Sequence, residues 1–491
     1  MRITTLSVFV ASLTACAKHS GVAIAPDPSA AAISRVATGL RPDFVVKGAS
    51  VTTFALADRM AHYKVPGVSI AVVNDGRIFW SRGFGVREAG TTSAVSPTTL
   101  FQAAAISKPV AATAMLRLVE QNRLALDTPV NQYLKSWRVP DNSFTATEKV
   151  TLRRLVLHSA GFGVHGFPGY ASDDTVPTVP QILDGTKPAN TSAVRVESVP
   201  GSAFSYSGGG ITIEQLAMTD VTGESFPALM RRLVFDPIGM TESAYEQPLS
   251  NAKASRAAAG HRPDGARVTG RWHTYPELAA AGLWTTPTDL LKWAMAITNA
   301  RAGMPHSILS KQSATEMLTV QKEPAGLGPM LHGAGRAFYF EHGGSNEGYI
   351  CQVIYFPELG RGAAIMTNSD AGAGVQKEIL YAIAKEYGWP DYGPREIQPI
   401  ALDSATVNQL VGEYPVPVSL TGGKEASQFI RREGGALSVE VAGFVPKTVI
   451  VALADGVLLA PETGFEFRMV RDASGRVIAL DIGSARLTKK P

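Results

Sequence analysis

The chain has 491 residues, 45% of them apolar and 18% charged. That is enough apolar surface for a folded core and too little charge for a disordered chain. Lys and Arg number 46 against 42 Asp and Glu, a net charge of +4 with no basic run, so the balance gives no push toward a nucleic-acid partner. The two cysteines, Cys16 and Cys351, exclude a disulfide scaffold and a thiolate metal cluster. The nine histidines are scattered, with no His-x-x-x-His pair and no carboxylate cluster at ligand spacing, so no metal and no other cofactor is expected. The glycine run Gly208-Gly209-Gly210 has no Lys-Ser or Lys-Thr after it, which argues against a phosphate-cradling loop.

In chain order, residues 1–16 come first. Arg2 is followed by a short apolar stretch, Leu6 to Leu13, that closes on Leu13-Thr14-Ala15-Cys16. The stretch is too short to span a bilayer. It resembles a bacterial lipoprotein signal, with Cys16 as the lipid-bearing residue; an ordinary signal peptide with a chance cysteine is the plainer alternative. Either implies export, and the first implies a periplasmic protein lipid-anchored to the cell envelope. Residues 17–48, rich in Ala, Pro and Ser, read as a tether. No later segment reaches about 18 consecutive apolar residues, so the lipid would be the sole membrane contact.

Val51 to Tyr63 reads as an amphipathic helix. Val68-Ser-Ile-Ala-Val-Val73 reads as a buried strand, Asn74-Asp75-Gly76 as a tight hairpin turn, and Ile78 to Phe84 as the returning strand. A helix feeding an antiparallel pair suggests an α/β sandwich whose sheet is not purely parallel. Ala111, Met115 and Leu118 give an apolar stripe over Ala105–Gln121. Pro109 is tolerable there only in the first turn, which sets the helix start near Ala105. Residues 166–200 read as a long loop or small lid. Ile211–Val221, Phe226–Val234, Asp289–Ala300 and Val375–Tyr387 read as helices, and Tyr349–Phe356 and Gly362–Met366 as an antiparallel pair. The breaker-dense stretch Gly388 to Pro394 is the best domain boundary. It separates a first domain, 49–390, from a C-terminal all-β unit, 395–491, with strands expected at 437–441, 448–453, 457–460, 465–470 and 477–482.

Three segments carry chemistry: Ala105-Ile-Ser107-Lys108, Pro200-Gly…Phe204-Ser-Tyr206-Ser-Gly208, and His342-Gly343-Gly344. With their connecting stretches they resemble the serine β-lactamase and penicillin-binding-protein-like hydrolases, in the branch with class C enzymes, esterases and D-aminopeptidases. Thr151 to Gly161, Phe235-Asp-Pro-Ile-Gly-Met240 and Ala281 to Asp289 fit the same family, and the likeness covers about residues 50–387. It implies a mixed, mainly antiparallel sheet flanked by helices, an α-rich subdomain, and acyl transfer on a small peptide, amide or ester substrate. That family places Ser-x-x-Lys at a helix start, where residues three apart share one face and the Lys amine reaches the nucleophile.

Here the nucleophile's position is Ala105, which has no oxygen. Three readings stand open: an engineered knock-out of the nucleophile, a naturally inactive envelope protein that binds peptides or a partner, and use of another nucleophile such as Ser107. Ser107 sits about 100° round the helix and is poorly placed. The resemblance makes Tyr206 the general base, its phenol pKa depressed by nearby cations such as Lys108. His342 would tune the charge near Tyr206 and contact substrate. Gly208 stands where many relatives carry a substrate-holding Asn, which puts β-lactam specificity in doubt. Gly344 and Ser345 would line the edge strand, and the N–H groups of residues 105 and 345 would form the oxyanion hole. Trp284 would line the pocket, and His158 would brace structure. The sequence sets no oligomeric state.

Overall fold

A computed structural model describes residues 27–483 and 485–491; the expected signal at 1–16, with Cys16, lies outside them. The centre of the molecule is a six-stranded antiparallel sheet. Its order across the sheet is Arg77–Gly85, Gly67–Asn74, Arg361–Thr367, Tyr349–Phe356, Tyr339–Asn346 and Met330–His332. The first hairpin turns at Asp75 (φ 52°) and Gly76 (φ 70°), the left-handed pair that matches strand twist.

The sheet is covered on both faces, which is why its strands read as continuous apolar runs rather than alternating ones. Val68, Ile70, Val72, Ala363 and Ile365 face one core with the helices Leu56–Tyr63 and Gly372–Tyr387. Ala71, Val73, Ala364 and Met366 face the other with the helices Ser107–Glu120 and Pro287–Arg301. The second core continues into an α-rich lobe built on Gly208–Thr222 and Phe226–Met230. A short 3₁₀ turn, Ala104–Ile106, leads into the helix Ser107–Glu120 and keeps Pro109 in the first turn.

The tether expected at 17–48 is corrected where it is described. Pro28–Ala37 is a helix capped by the Asp27 side chain. Ala32, Val36 and Leu40, each four apart, form an apolar row that packs into the core beside Gly372–Tyr387. Arg35 binds Glu386 at 2.6 Å. Phe44–Val46 then pairs in parallel with Arg395–Ile397, so this segment ties the start of the main domain to the residues that follow its end. Composition hid the row because alanines supply much of its neighbourhood.

Beyond residue 400, eight strands follow one another as an antiparallel meander. Its ends meet, with the Lys490 N–H donating to the Glu413 carbonyl at 2.8 Å, around a core that includes Tyr414, Ile430, Leu458, Phe467 and Leu480. Five of the eight fall where the sequence places them. Gly412–Val416, Ala426–Glu433 and Arg486–Thr488 do not; the first contains Pro415, and the charged ends of the other two obscure the alternation. No described helix is long and apolar enough to cross a membrane.

Candidate active site

The turn before the helix Ser107–Glu120 is strained. Ala104 has φ 50°, a left-handed conformation that costs a side-chain-bearing residue roughly 1–2 kcal/mol and that concentrates at functional sites. The strand Tyr339–Asn346, paired with the short edge strand Met330–His332 only through residues 339–341, lies directly against this turn. A Cβ on Gly344 would collide with the Ala103 carbonyl oxygen and with Cys351 Sγ, so only glycine permits the approach. Asn346 ties the strand's end to the same region, donating to Gln102 Oε1 at 2.7 Å and to the Ala281 carbonyl at 3.0 Å.

These contacts enclose a cavity of about 530 Å³. Ala105, Lys108, Tyr206, Gly344 and Ser345 all line it. Lys108 is 4% exposed, and its Nζ donates to the Ala280 carbonyl at 2.8 Å. The same Nζ stands over the Tyr206 ring, 5.1 Å from its centre. His342 comes to the site but not into the cavity lining. It is buried, its ring centre 6.2 Å from that of Tyr206. Its Nδ1 meets the Gly343 carbonyl at 2.6 Å, so Nδ1 carries the proton and Nε2 is a buried acceptor without a partner. Direct contact between His342 and substrate is therefore not what the structure provides.

Ser107 points away from the cavity. Its Oγ donates to the Ala104 carbonyl and accepts from the Leu283 N–H at 3.0 Å, so the hydroxyl is fully used in bracing the strained turn. His158 is also a brace. Its Nδ1 accepts from the Ser207 N–H at 3.1 Å, and its ring stacks on Tyr206 with centres 4.2 Å apart.

Two expected site residues are elsewhere. Trp284 is fully buried between Trp272 and Tyr349 and does not line the cavity. Gly208 opens the helix Gly208–Thr222, and a Cβ there would meet Phe167 Cε2 at 3.0 Å and the His165 carbonyl at 3.1 Å. The loop 165–167 fills the space a side chain would need, and His165 and Phe167 line the cavity instead. Sequence reasoning missed both; their one signal was that the stretch beginning near Gly166 reads as a lid.

The electrostatics reverse one expectation. Burial alone lowers the Lys108 amine from 10.5 to about 7. Burial, then the Glu341 charge, raises the Tyr206 phenol above its ordinary value, where neighbouring cations were expected to depress it. The reason is that the phenol's own burial dominates, and Lys108 is not among the causes of its shift. His342 falls to about 4 through burial and then Lys108. His158 is pushed down by burial, Lys108 and His342 in that order. Near neutral pH His158 and His342 are neutral, the Tyr206 phenol is protonated and the Lys108 amine is divided between its two forms.

The Beta-lactamase family model matches residues 55–387, and the chain belongs to this family, whose homologues support a serine-hydrolase type of chemistry. It is 25% identical over 342 residues to the unguisins hydrolase ungD of Aspergillus violaceofuscus, a match over 62% of this chain and 59% of that protein; the chain thus spans less than two thirds of that relative's length. In fold it is similar to the octameric penicillin-binding protein homologue from Pyrococcus abyssi, with a TM-score of 0.59 and 22% identity over 88% of this chain and 98% of that one. It is also similar to the D-alanine carboxypeptidase AmpC from Burkholderia cenocepacia, with a TM-score of 0.53 and 22% identity over 67% of this chain and 96% of that one.

Two outcomes follow from this geometry. Because the native state lowers the Lys108 pKa, the unfolded chain binds more protons between about 7 and 10.5, and stability rises with pH across that window. Denaturant midpoints of this chain relative to its Lys108→Met variant are expected to climb from pH 7 toward 10.5 and to stay flat below 7; a constant offset contradicts the buried amine. Ser107→Ala is expected to lower stability by about 1–3 kcal/mol in the same assay, because it leaves the buried Leu283 N–H without its acceptor.

Proposed function

We propose that this chain carries the acyl-transfer site of a serine hydrolase for peptide, amide or ester bonds, in a form that lacks the nucleophilic oxygen at position 105. The observation that carries the reading is that Ala105 lines one cavity with Lys108 and Tyr206, while burial brings the Lys108 amine to about 7. An amine titrating near neutrality is matched to general-base work.

With serine at 105, its Oγ attacks the substrate carbonyl carbon and passes its proton to the neutral Lys108 amine. The backbone N–H groups of residues 105 and 345 receive the developing oxyanion. Tyr206 keeps its proton, gives it to the leaving group as the scissile bond breaks, and regains one from the Lys108 ammonium. Water then attacks the acyl-enzyme, giving a proton to the same amine, which returns it to the departing Oγ of residue 105 as the acid is released. The phenol's raised pKa assigns Tyr206 to proton delivery and leaves proton removal to Lys108.

Peptides and amides come first as substrates, then esters, then β-lactams. The gap that an Asn at 208 would fill is taken by Phe167 and the His165 carbonyl, so a side-chain amide grip at that point is missing. The similarity to the unguisins hydrolase supports a hydrolase. The place of action we propose is the cell envelope, with the chain anchored through Cys16. A second reading is a naturally inactive envelope protein that binds peptides or a partner. It is favoured by the intact cavity around a residue that cannot attack.

Loss of the nucleophile from such a set lowers turnover by about a million-fold, so the chain as it stands is expected to be nearly inert. Ala105→Ser is expected to form an acyl-type adduct with a fluorophosphonate, seen as a mass shift on the peptide containing residue 105, and to hydrolyse anilides or esters. No adduct from a folded Ala105→Ser protein defeats the hydrolase reading. Ligand binding by that protein without turnover favours the second.

A further inference from the structure

The loop from Gly163 to Gly169 is fastened at both ends. The Val164 carbonyl accepts from the Gly209 N–H at 3.1 Å, and the His165 carbonyl accepts from the Gly208 N–H at 2.9 Å. The Ser207 hydroxyl donates to the Gly163 carbonyl at 2.7 Å. At the far end the Pro168 carbonyl accepts from His273 Nδ1 at 2.9 Å and from the Tyr275 hydroxyl at 3.3 Å. Val164 has φ 56°, a left-handed conformation that is an outlier for a β-branched residue and that gathers at functional sites. Its side chain packs against the main core, while the next residue, His165, is exposed.

That turn sets two rings at the cavity. His165 and Phe167 both line it, together with Ala105, Lys108 and Tyr206. The His165 ring centre lies 4.8 Å from that of Tyr206, and Lys108 Nζ lies 5.1 Å from the same Tyr206 centre. The loop's side chains therefore stand beside the groups that handle the proton. Phe167 is half-buried, and its ring fills the space over Gly208. Among the described residues that line the cavity there is no Asp, Glu or Arg. An uncharged group entering on this side meets rings held by a loop that is already tied down, so little ordering remains to oppose binding.

We propose that Phe167 and His165, set beside Tyr206 by this loop, form a subsite for an aromatic ring that the substrate carries next to the bond to be cleaved. Phe167 supplies apolar area, and His165 supplies a second ring, since aromatic pairs gain beyond their buried area through the opposite charge of ring face and ring edge. Where a side-chain amide at 208 would grip a polar group, this loop presents rings instead. The inference rests on the hydrolase reading of the cavity and adds the chemistry of one substrate group. Phe167 and His165 act on specificity. The ring belongs either to the acyl portion or to the leaving group, and separate ligands distinguish the two.

The test uses the full-length Ala105 protein, which does not consume its ligands. Calorimetry compares N-acetylalanine methylamide with two ligands that each add a phenyl ring. N-acetylphenylalanine methylamide carries it on the acyl side, and N-acetylalanine benzylamide on the leaving-group side. Cyclohexyl counterparts keep the bulk without the π system, and D and L forms are run. At least one phenyl ligand is expected to bind about five- to tenfold tighter than the methylamide reference, the yield of half-burying a ring. It is also expected to bind at least about twofold tighter than its cyclohexyl counterpart. The ligand that does so places the ring on its side of the bond. Phe167→Ala is expected to bring it to within about twofold of the reference. His165→Ala, at an exposed position, is expected to remove the margin over cyclohexyl, and it serves should Phe167→Ala fail to fold. Equal binding of phenyl and reference ligands, no margin over cyclohexyl, or a preference that survives both variants overturns the subsite. Absence of binding by every ligand, when Ala105→Ser still takes the fluorophosphonate, rejects the subsite and leaves the hydrolase reading standing. Absence of both rejects the two together.

Discussion

The site depends on one close approach, that of the strand Tyr339–Asn346 at Gly344 to the backbone of the turn at Ala103–Ala105. A single Cβ at 344 would strike the Ala103 carbonyl and push the strand away from the turn. With the strand in place, Asn346 joins it to Gln102 and Ala281, and the left-handed residue Ala104 is held on both sides. The strain of that residue is offset by Ser107, whose hydroxyl bonds the Ala104 carbonyl and the Leu283 N–H. Position 105 is therefore presented to the cavity by a clamped piece of backbone, and preorganisation of that kind is what acyl transfer requires.

The second dependence is electrostatic. Lys108 enters the interior with one carbonyl as its hydrogen-bond partner and no carboxylate among the causes of its shift. Burial makes the neutral amine accessible, and its residual charge helps keep His158 and His342 neutral. The phenol beside them retains its proton. One desolvated amine thus sets the protonation of a group of aromatic neighbours, an economy that a surface lysine in high dielectric cannot provide.

Much of this was legible from the chain alone, because it is local. The Asn74-Asp75-Gly76 turn, the helix after position 105 and its proline, and the breaker-rich boundary near Gly388 all follow from backbone preferences of neighbouring residues. Five of the eight C-terminal strands follow from period-two alternation. The misses have physical causes of other kinds. The row Ala32, Val36 and Leu40 becomes meaningful only when Gly372–Tyr387 is there to cover it. Trp284 stands in a family segment near the site, yet Trp272 and Tyr349 enclose it. His165 and Phe167 reach the cavity through the path of an irregular loop, which no periodicity encodes.

The sequence by itself determined most of the elements, the family and the absence of an oxygen at residue 105, since each is a matter of residue identity and short spacing. Tertiary structure alone decided that Ser107 faces the core, that Lys108 is an amine near neutrality and that Tyr206 is a protonated phenol. Those properties arise from which groups exclude water from which others. Exclusion is a property of segments far apart in the chain that meet only on folding.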